Sequence, residues 1–174
     1  MTVYATLNAV VRIVAAALLI YAAAQKLAAP RSFRSTLAAL RIPHVVFVSV
    51  SVPLLELTAG FALLSMPRFA LTAVLVAGLG VTFAAAGALV LIRGTRVKCS
   101  CFGQADGGDL GLRQIAMLPM WGGVAALAIW TPDRSPAGPE LAIGVTLALS
   151  VFAVLKVVPL TRKNREYMQA MVPE

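Results

Sequence analysis

Apolar residues run through this chain in long blocks separated by short polar links, not in the periodic stripes of a soluble core. Five blocks approach the ~20 residues needed to cross ~30 Å of hydrocarbon. They run from about Leu7 to Ala28, Pro43 to Met66, Phe69 to Ile92, Gln114 to Trp130 and Leu141 to Leu160. The first carries Arg12 and Lys26 near its two ends, the second is apolar except for Glu56, and the third has no charge at all. The fourth is shorter, and Pro119 is expected to kink its first half. Lys156 lies near the end of the last, close enough to the boundary for its ammonium to reach water.

The links differ in kind. Arg31 to Ile42 follows Pro30 and places Phe33, Leu37 and Leu40 on one helical face, with Arg31, Arg34 and Arg41 largely off it. That pattern predicts a short amphipathic helix at the interface, with a basic loop as the alternative. Met66-Pro67-Arg68 reads as a tight turn, Arg93 to Arg113 as a polar loop, and Thr131 to Pro139 as a proline-rich link. The predicted fold is all-α: a polytopic transmembrane helical bundle of four core spans, a C-terminal fifth span and the short interfacial helix. Residues 1–160 form one membrane domain and 161–174 a basic tail.

Composition agrees. The chain is 60% hydrophobic and 13% charged, with mean hydropathy +0.88, whereas a soluble domain is about 25% charged. Nothing resembles a cleaved signal, because Arg12 interrupts the first block and no basic segment precedes it. The net charge of +8 does not point to nucleic acid, since the basic residues fall between apolar blocks and suit anionic lipid headgroups. Five crossings place Lys26, Arg31, Arg34, Arg41, Arg93, Arg96, Lys98, Arg113, Lys156, Arg162, Lys163 and Arg165 on one side, against Arg12, Arg68 and Arg134 on the other. The positive-inside rule then predicts a cell-membrane protein with its amino terminus outside and its carboxyl terminus and 93–113 loop in the cytoplasm.

That loop contains Lys98-Cys99-Ser100-Cys101-Phe102-Gly103, with both cysteines of the chain. A structural zinc needs about four ligands, more than two thiols and the single His44 supply. Two inert thiols remain one reading. The other is a redox-active pair, in which Arg96 and Lys98 stabilise the attacking thiolate. A disulfide across one intervening residue closes a small strained ring, and strained, exposed disulfides are labile. Gly103 would let another protein approach the backbone closely.

Glu56 is the second candidate. A carboxylate near the bilayer midplane costs several kcal/mol unless paired or protonated, so it is either functional or held in a structural ion pair. Arg12 is its expected partner, and Lys26 is expected to snorkel to headgroups or to face the cysteine loop. Gly78, Gly80, Ala84, Gly87 and Ala88 read as close-packing positions on the third span. Trp130 reads as an interfacial anchor and Trp121 as packing.

Ala24-Gln25-Lys26-Leu27, Pro53-Leu54-Leu55-Glu56-Leu57 with Gly60, and Arg93-Gly94 leading into Cys99-Ser100-Cys101-Phe102-Gly103 together resemble the methylamine utilisation protein MauE family, related to DoxX-like membrane proteins. The resemblance covers about residues 10–130. Leu110-Gly111 looks like the family's entry to the next helix, but Met117-Leu118 stand where the family often has an Arg-Asn pair. The resemblance implies a helical membrane protein associated with thiol redox, beside a thioredoxin-like partner, and with quinol chemistry in the DoxX branch. The namesake's link to maturation of disulfide-rich methylamine dehydrogenase does not carry over to this chain's substrate.

Three functions follow as expectations. The first is thiol–disulfide electron transfer between a thioredoxin-like or rhodanese-like protein and a membrane acceptor such as quinone. Cys99 and Cys101 would be the redox pair and Glu56 an accompanying acid; no resident cofactor is required. The second is a non-catalytic accessory subunit of a larger membrane redox complex. The third is a small-molecule carrier using Glu56 and Arg12. In the cytosol, a disulfide would be transient and either catalytic or sensory.

Overall fold

Polar and small residues recur down one face of the first helix, at Asn8, Arg12, Ala15, Ala16, Ala22, Ala23 and Lys26, and all of them are buried. In a bilayer the outer face is as apolar as the core, so inward-facing positions are marked by small and polar side chains. In a computed structural model, which describes residues 2–98, 109–130, 141, 143–148 and 150, this face forms the axis of a helical bundle. The helices are α1 (Thr2–Ala28), α2 (Pro30–Ala39), α3 (Val45–Ser65), α4 (Ala70–Ile92), α5 (Leu112–Ala116) and α6 (Leu118–Ile129). Four stretches are long and apolar enough to cross a membrane: Val3–Ala28, Val45–Ser65, Ala70–Ile92 and Leu112–Ile129.

Large apolar side chains such as Phe47, Leu54, Phe61, Val74 and Val81 are exposed on the outer faces, as expected of helices solvated by lipid. Inside, Ala16, Leu19, Ala59, Leu63, Val76, Trp121, Val124 and Ala128 form one core. Trp121 is therefore packing, as its position in the fourth block implied. α1 and α3 run antiparallel, because Gly60 meets Ile20 and Ala16 while Leu63 meets Arg12 near the start of α1. A Cβ on Gly80 would stand 2.7 Å from the Trp121 Cβ, and one on Gly87 would stand 2.6 Å from the Gly111 carbonyl oxygen. These two glycines fix how closely α6 and the entry to α5 approach α4. Gly78 differs from expectation: it faces outward, and a Cβ there would meet nothing within 4 Å.

Pro119 interrupts the helix of the fourth span at one residue, Met117, consistent with the expected kink. Its ring lacks an N–H and crowds the carbonyl four residues back, and the chain turns at Met117 between α5 and α6. Pro43 similarly keeps Ile42 out of helix. The link from α2 to α3 turns through left-handed Arg41 (φ 54°) and His44 (φ 53°).

α2 is the anticipated amphipathic helix, with Phe33, Thr36 and Leu37 buried and Arg31 and Arg34 exposed. Three spans precede residue 93, so α2 and the 93–113 connection lie at the same end of the bundle. Of the expected fifth span, residues 141, 143–148 and 150 are helical. Gly144 packs against Ile13 of α1, where a Cβ would lie 2.7 Å from the Ile13 Cδ1. The rest of that span, the proline-rich link, the 161–174 tail, Cys99, Cys101 and Gly103 lie outside the described residues.

Gly87→Ala and Gly78→Ala should separate close packing from helix propensity. The first forces a methyl against backbone and should destabilise the protein by about 1–3 kcal/mol. The second should be neutral or stabilising by up to ~1 kcal/mol. Thermal unfolding of the two variants in the same detergent measures the difference.

Candidate functional site

Near the middle of α3, Glu56 is 0% exposed, and Lys26, two residues from the end of α1, is only 2% exposed. Lys26 Nζ donates to Glu56 Oε1 at 2.6 Å. Cβ atoms in a helix tilt toward its N-terminus, so a lysine near the C-terminus of α1 can extend back into the bundle. It does so here instead of snorkelling outward. Two rings flank the ammonium: the centroids of Phe33 on α2 and Phe83 on α4 are each 5.6 Å from Nζ, within cation–π range. One ammonium thus joins four helices. Glu56 Oε2 is buried and has no hydrogen-bond partner among the described residues.

The expected Arg12–Glu56 pair does not form. Arg12 Nε and Nη2 instead donate to the Leu63 carbonyl at 3.1 and 2.9 Å. Leu63 lies in the last turn of α3, whose carbonyls have no intrahelical donor, and a cation there also complements the helix dipole. Asn8 does the same for α6, with Nδ2 donating to the Leu127 carbonyl at 2.9 Å. α1 is antiparallel to both helices, which puts its first turns beside their C-termini. Arg12 and Asn8 are therefore capping groups at the end of the bundle remote from Lys98.

At the opposite end the chain leaves and returns at one place. Lys98 and Asp109 form an antiparallel bridge, and the Leu110 N–H donates to the Val97 carbonyl at 2.8 Å. Val97 and Leu110 are buried with Leu40 and Val90. The Thr36 hydroxyl of α2 is 3.2 Å from the Lys98 carbonyl and 3.3 Å from that of Ser32, and it shares its proton between them. Arg93 Nη1 donates to the Leu40 carbonyl at 2.7 Å, tying α2 to the end of α4. Cys99 follows Lys98 directly, so segment 99–108 is rooted on α2 one helical turn from Phe33. Arg96 and Lys98 at this root are exposed.

The profile of the methylamine utilisation protein MauE family matches residues 4–131. The chain belongs to the MauE family. No curated protein and no solved structure matches it. Family membership and four apolar helices make it a multi-pass membrane protein of a family linked to methylamine utilisation. The MauE match encloses Lys26, Glu56, Arg93 and both cysteines. Met117 falls between α5 and α6.

Sequence reasoning found Glu56 and its need for a partner but chose the wrong cation. It missed Thr36, Asn8, Phe33 and Phe83 as polar or aromatic contacts. A usable signal was present: Asn8, Arg12 and Lys26 share the small-residue face of α1, four and fourteen residues apart, which is close to one and four helical turns.

Lys26→Met should destabilise the protein by roughly 3–5 kcal/mol, because it strands a buried carboxylate. Lys26→Met combined with Glu56→Gln should recover most of that loss, giving strong non-additivity. Arg12→Gln and Glu56→Gln should add independently. Unfolding free energies of the single and double variants in detergent provide both cycles.

Proposed function

We propose that this chain is a membrane-embedded thiol–disulfide redox protein. It passes electrons between a thioredoxin-like or rhodanese-like partner and a membrane acceptor such as quinone, through Cys99 and Cys101. The observation that carries the reading is the root of the cysteine segment. Lys98, immediately before Cys99, is bridged to Asp109, held by Thr36, and set at the end of a bundle that buries Lys26 and Glu56 beneath it. Such an anchor can present the pair to a protein on the water side while keeping it close to the lipid phase. Exposed Arg96 and Lys98 favour the thiolate form that attacks disulfides. The basic residues of α2 and the loop root share one end of the bundle, and the positive-inside rule assigns that end to the cytoplasm. The pair would then cycle rather than persist as a structural disulfide.

A Cys101→Ser variant should trap the partner as a mixed disulfide on Cys99, identifiable after non-reducing separation. A membrane-impermeant maleimide should label the cysteines in inverted vesicles and not in intact cells. Retention of cellular function when both cysteines are serine would exclude the redox role and leave the accessory-subunit role. Labelling in intact cells would reverse the orientation.

A further inference from the structure

We propose that the outer face of α2, where it meets the first turns of α3, binds the headgroup of an anionic phospholipid, with Arg34 as the positioned ligand. The proposal does not depend on the thiol-redox reading.

The first observation is how α2 uses its two faces. An interfacial helix ordinarily lays its apolar face into the bilayer. Here Phe33 and Leu37 of that face are buried in the protein. The face left outward carries Arg31, Arg34 and Ala38, all exposed, at spacings of three and four that align them on one side. Arg41, just beyond α2, is exposed as well. α2 therefore offers the membrane a row of cations rather than an apolar anchor.

The second observation is that Arg34 is held in place. Its Nε donates to the Ser49 Oγ at 3.2 Å, and the Ser49 hydroxyl donates to the Val46 carbonyl at 2.7 Å. Ser49 is buried and lies about one turn into α3, which starts at Val45. The guanidinium is thus fixed against the first turns of a membrane-spanning helix. Its two Nη groups make no hydrogen bond among the described residues, which leaves a fork suited to two phosphate oxygens. Val46, Phe47 and Val50 on the same turns of α3 are exposed. Fixed donors beside lipid-facing apolar side chains match the two halves of a phospholipid.

The third observation is the sign of the charge. Among the described residues, Arg31, Arg34 and Arg41 have no acidic partner. Arg93 Nη1 bonds the Leu40 carbonyl and adds a further cation at the end of α2. The described carboxylates at this end are Glu56, buried against Lys26, and the exposed Asp109. A phosphodiester offers acceptors only, and arginine offers donors only. A zwitterionic headgroup would bring its own ammonium into this positive field, whereas an anionic one brings none.

The test measures dissociation constants of acyl-labelled phosphatidylglycerol and phosphatidylcholine on the full chain in dodecyl maltoside. Salt is held at about 0.15 M, where exposed charges more than about 8 Å apart are largely screened. Wild type should prefer phosphatidylglycerol by about tenfold or more. Arg31→Gln and Arg34→Gln should each weaken phosphatidylglycerol about fivefold and leave phosphatidylcholine unchanged. Ser49→Ala keeps every charge but releases Arg34, and should weaken phosphatidylglycerol about threefold. Arg113→Gln removes the same charge from α5 at the same bundle end, and should change binding less than about twofold. Equal losses from Arg34→Gln and Arg113→Gln would show diffuse attraction without a site and overturn the proposal. Displacement of the lipid by equimolar glycerol 1-phosphate or polyglutamate would also overturn it, assigning the face to a soluble phosphate or an acidic protein.

Discussion

The Lys26–Glu56 ion pair constrains the bundle more than any other contact. Two charges removed from water incur a desolvation penalty that their mutual attraction offsets only when the geometry holds. The 2.6 Å contact therefore fixes where α1 stands along α3. Because Lys26 also lies against Phe33 and Phe83, the same ammonium orients α2 across the bundle end and α4 beside it. An apolar substitute could fill the volume, but it would leave the register between α1 and α3 to the Arg12–Leu63 bonds and the close packing at Gly60.

The two ends of the bundle use polar groups differently. At the remote end, Arg12 and Asn8 satisfy the last-turn carbonyls of α3 and α6. This closes helix termini that have no internal donors. At the cysteine end, Arg93 and Thr36 bond the backbone of Leu40 and Lys98, so polar side chains there hold connecting segments rather than helix against helix. Tight packing at Gly87 and Gly111 brings the returning chain down onto α4. The result is a rigid collar from which segment 99–108 departs.

The sequence alone determined the membrane class, four helical spans and the amphipathic α2. Each of these follows from local hydropathy over lengths set by bilayer thickness. It also identified Glu56 as an acid that had to be enclosed, since an isolated carboxylate at that depth is untenable whatever the fold. The CxCFG box with the Gln25-Lys26 and Leu55-Glu56 motifs carried the family, which the match over residues 4–131 established. Only the tertiary structure decided which cation meets Glu56. Arg12 and Lys26 occupy the same face of α1, and choosing between them depends on the antiparallel offset between α1 and α3. That offset is held by the ion pair together with Gly60 against Ile20 and Ala16 and Arg12 against the Leu63 carbonyl, contacts across long sequence separation that no hydropathy pattern encodes. For the same reason, the sequence could not show that α2 carries both Phe33, which touches the ion pair, and Thr36, which holds the root of the cysteine segment. Those roles exist only once α2 lies across the end of the bundle.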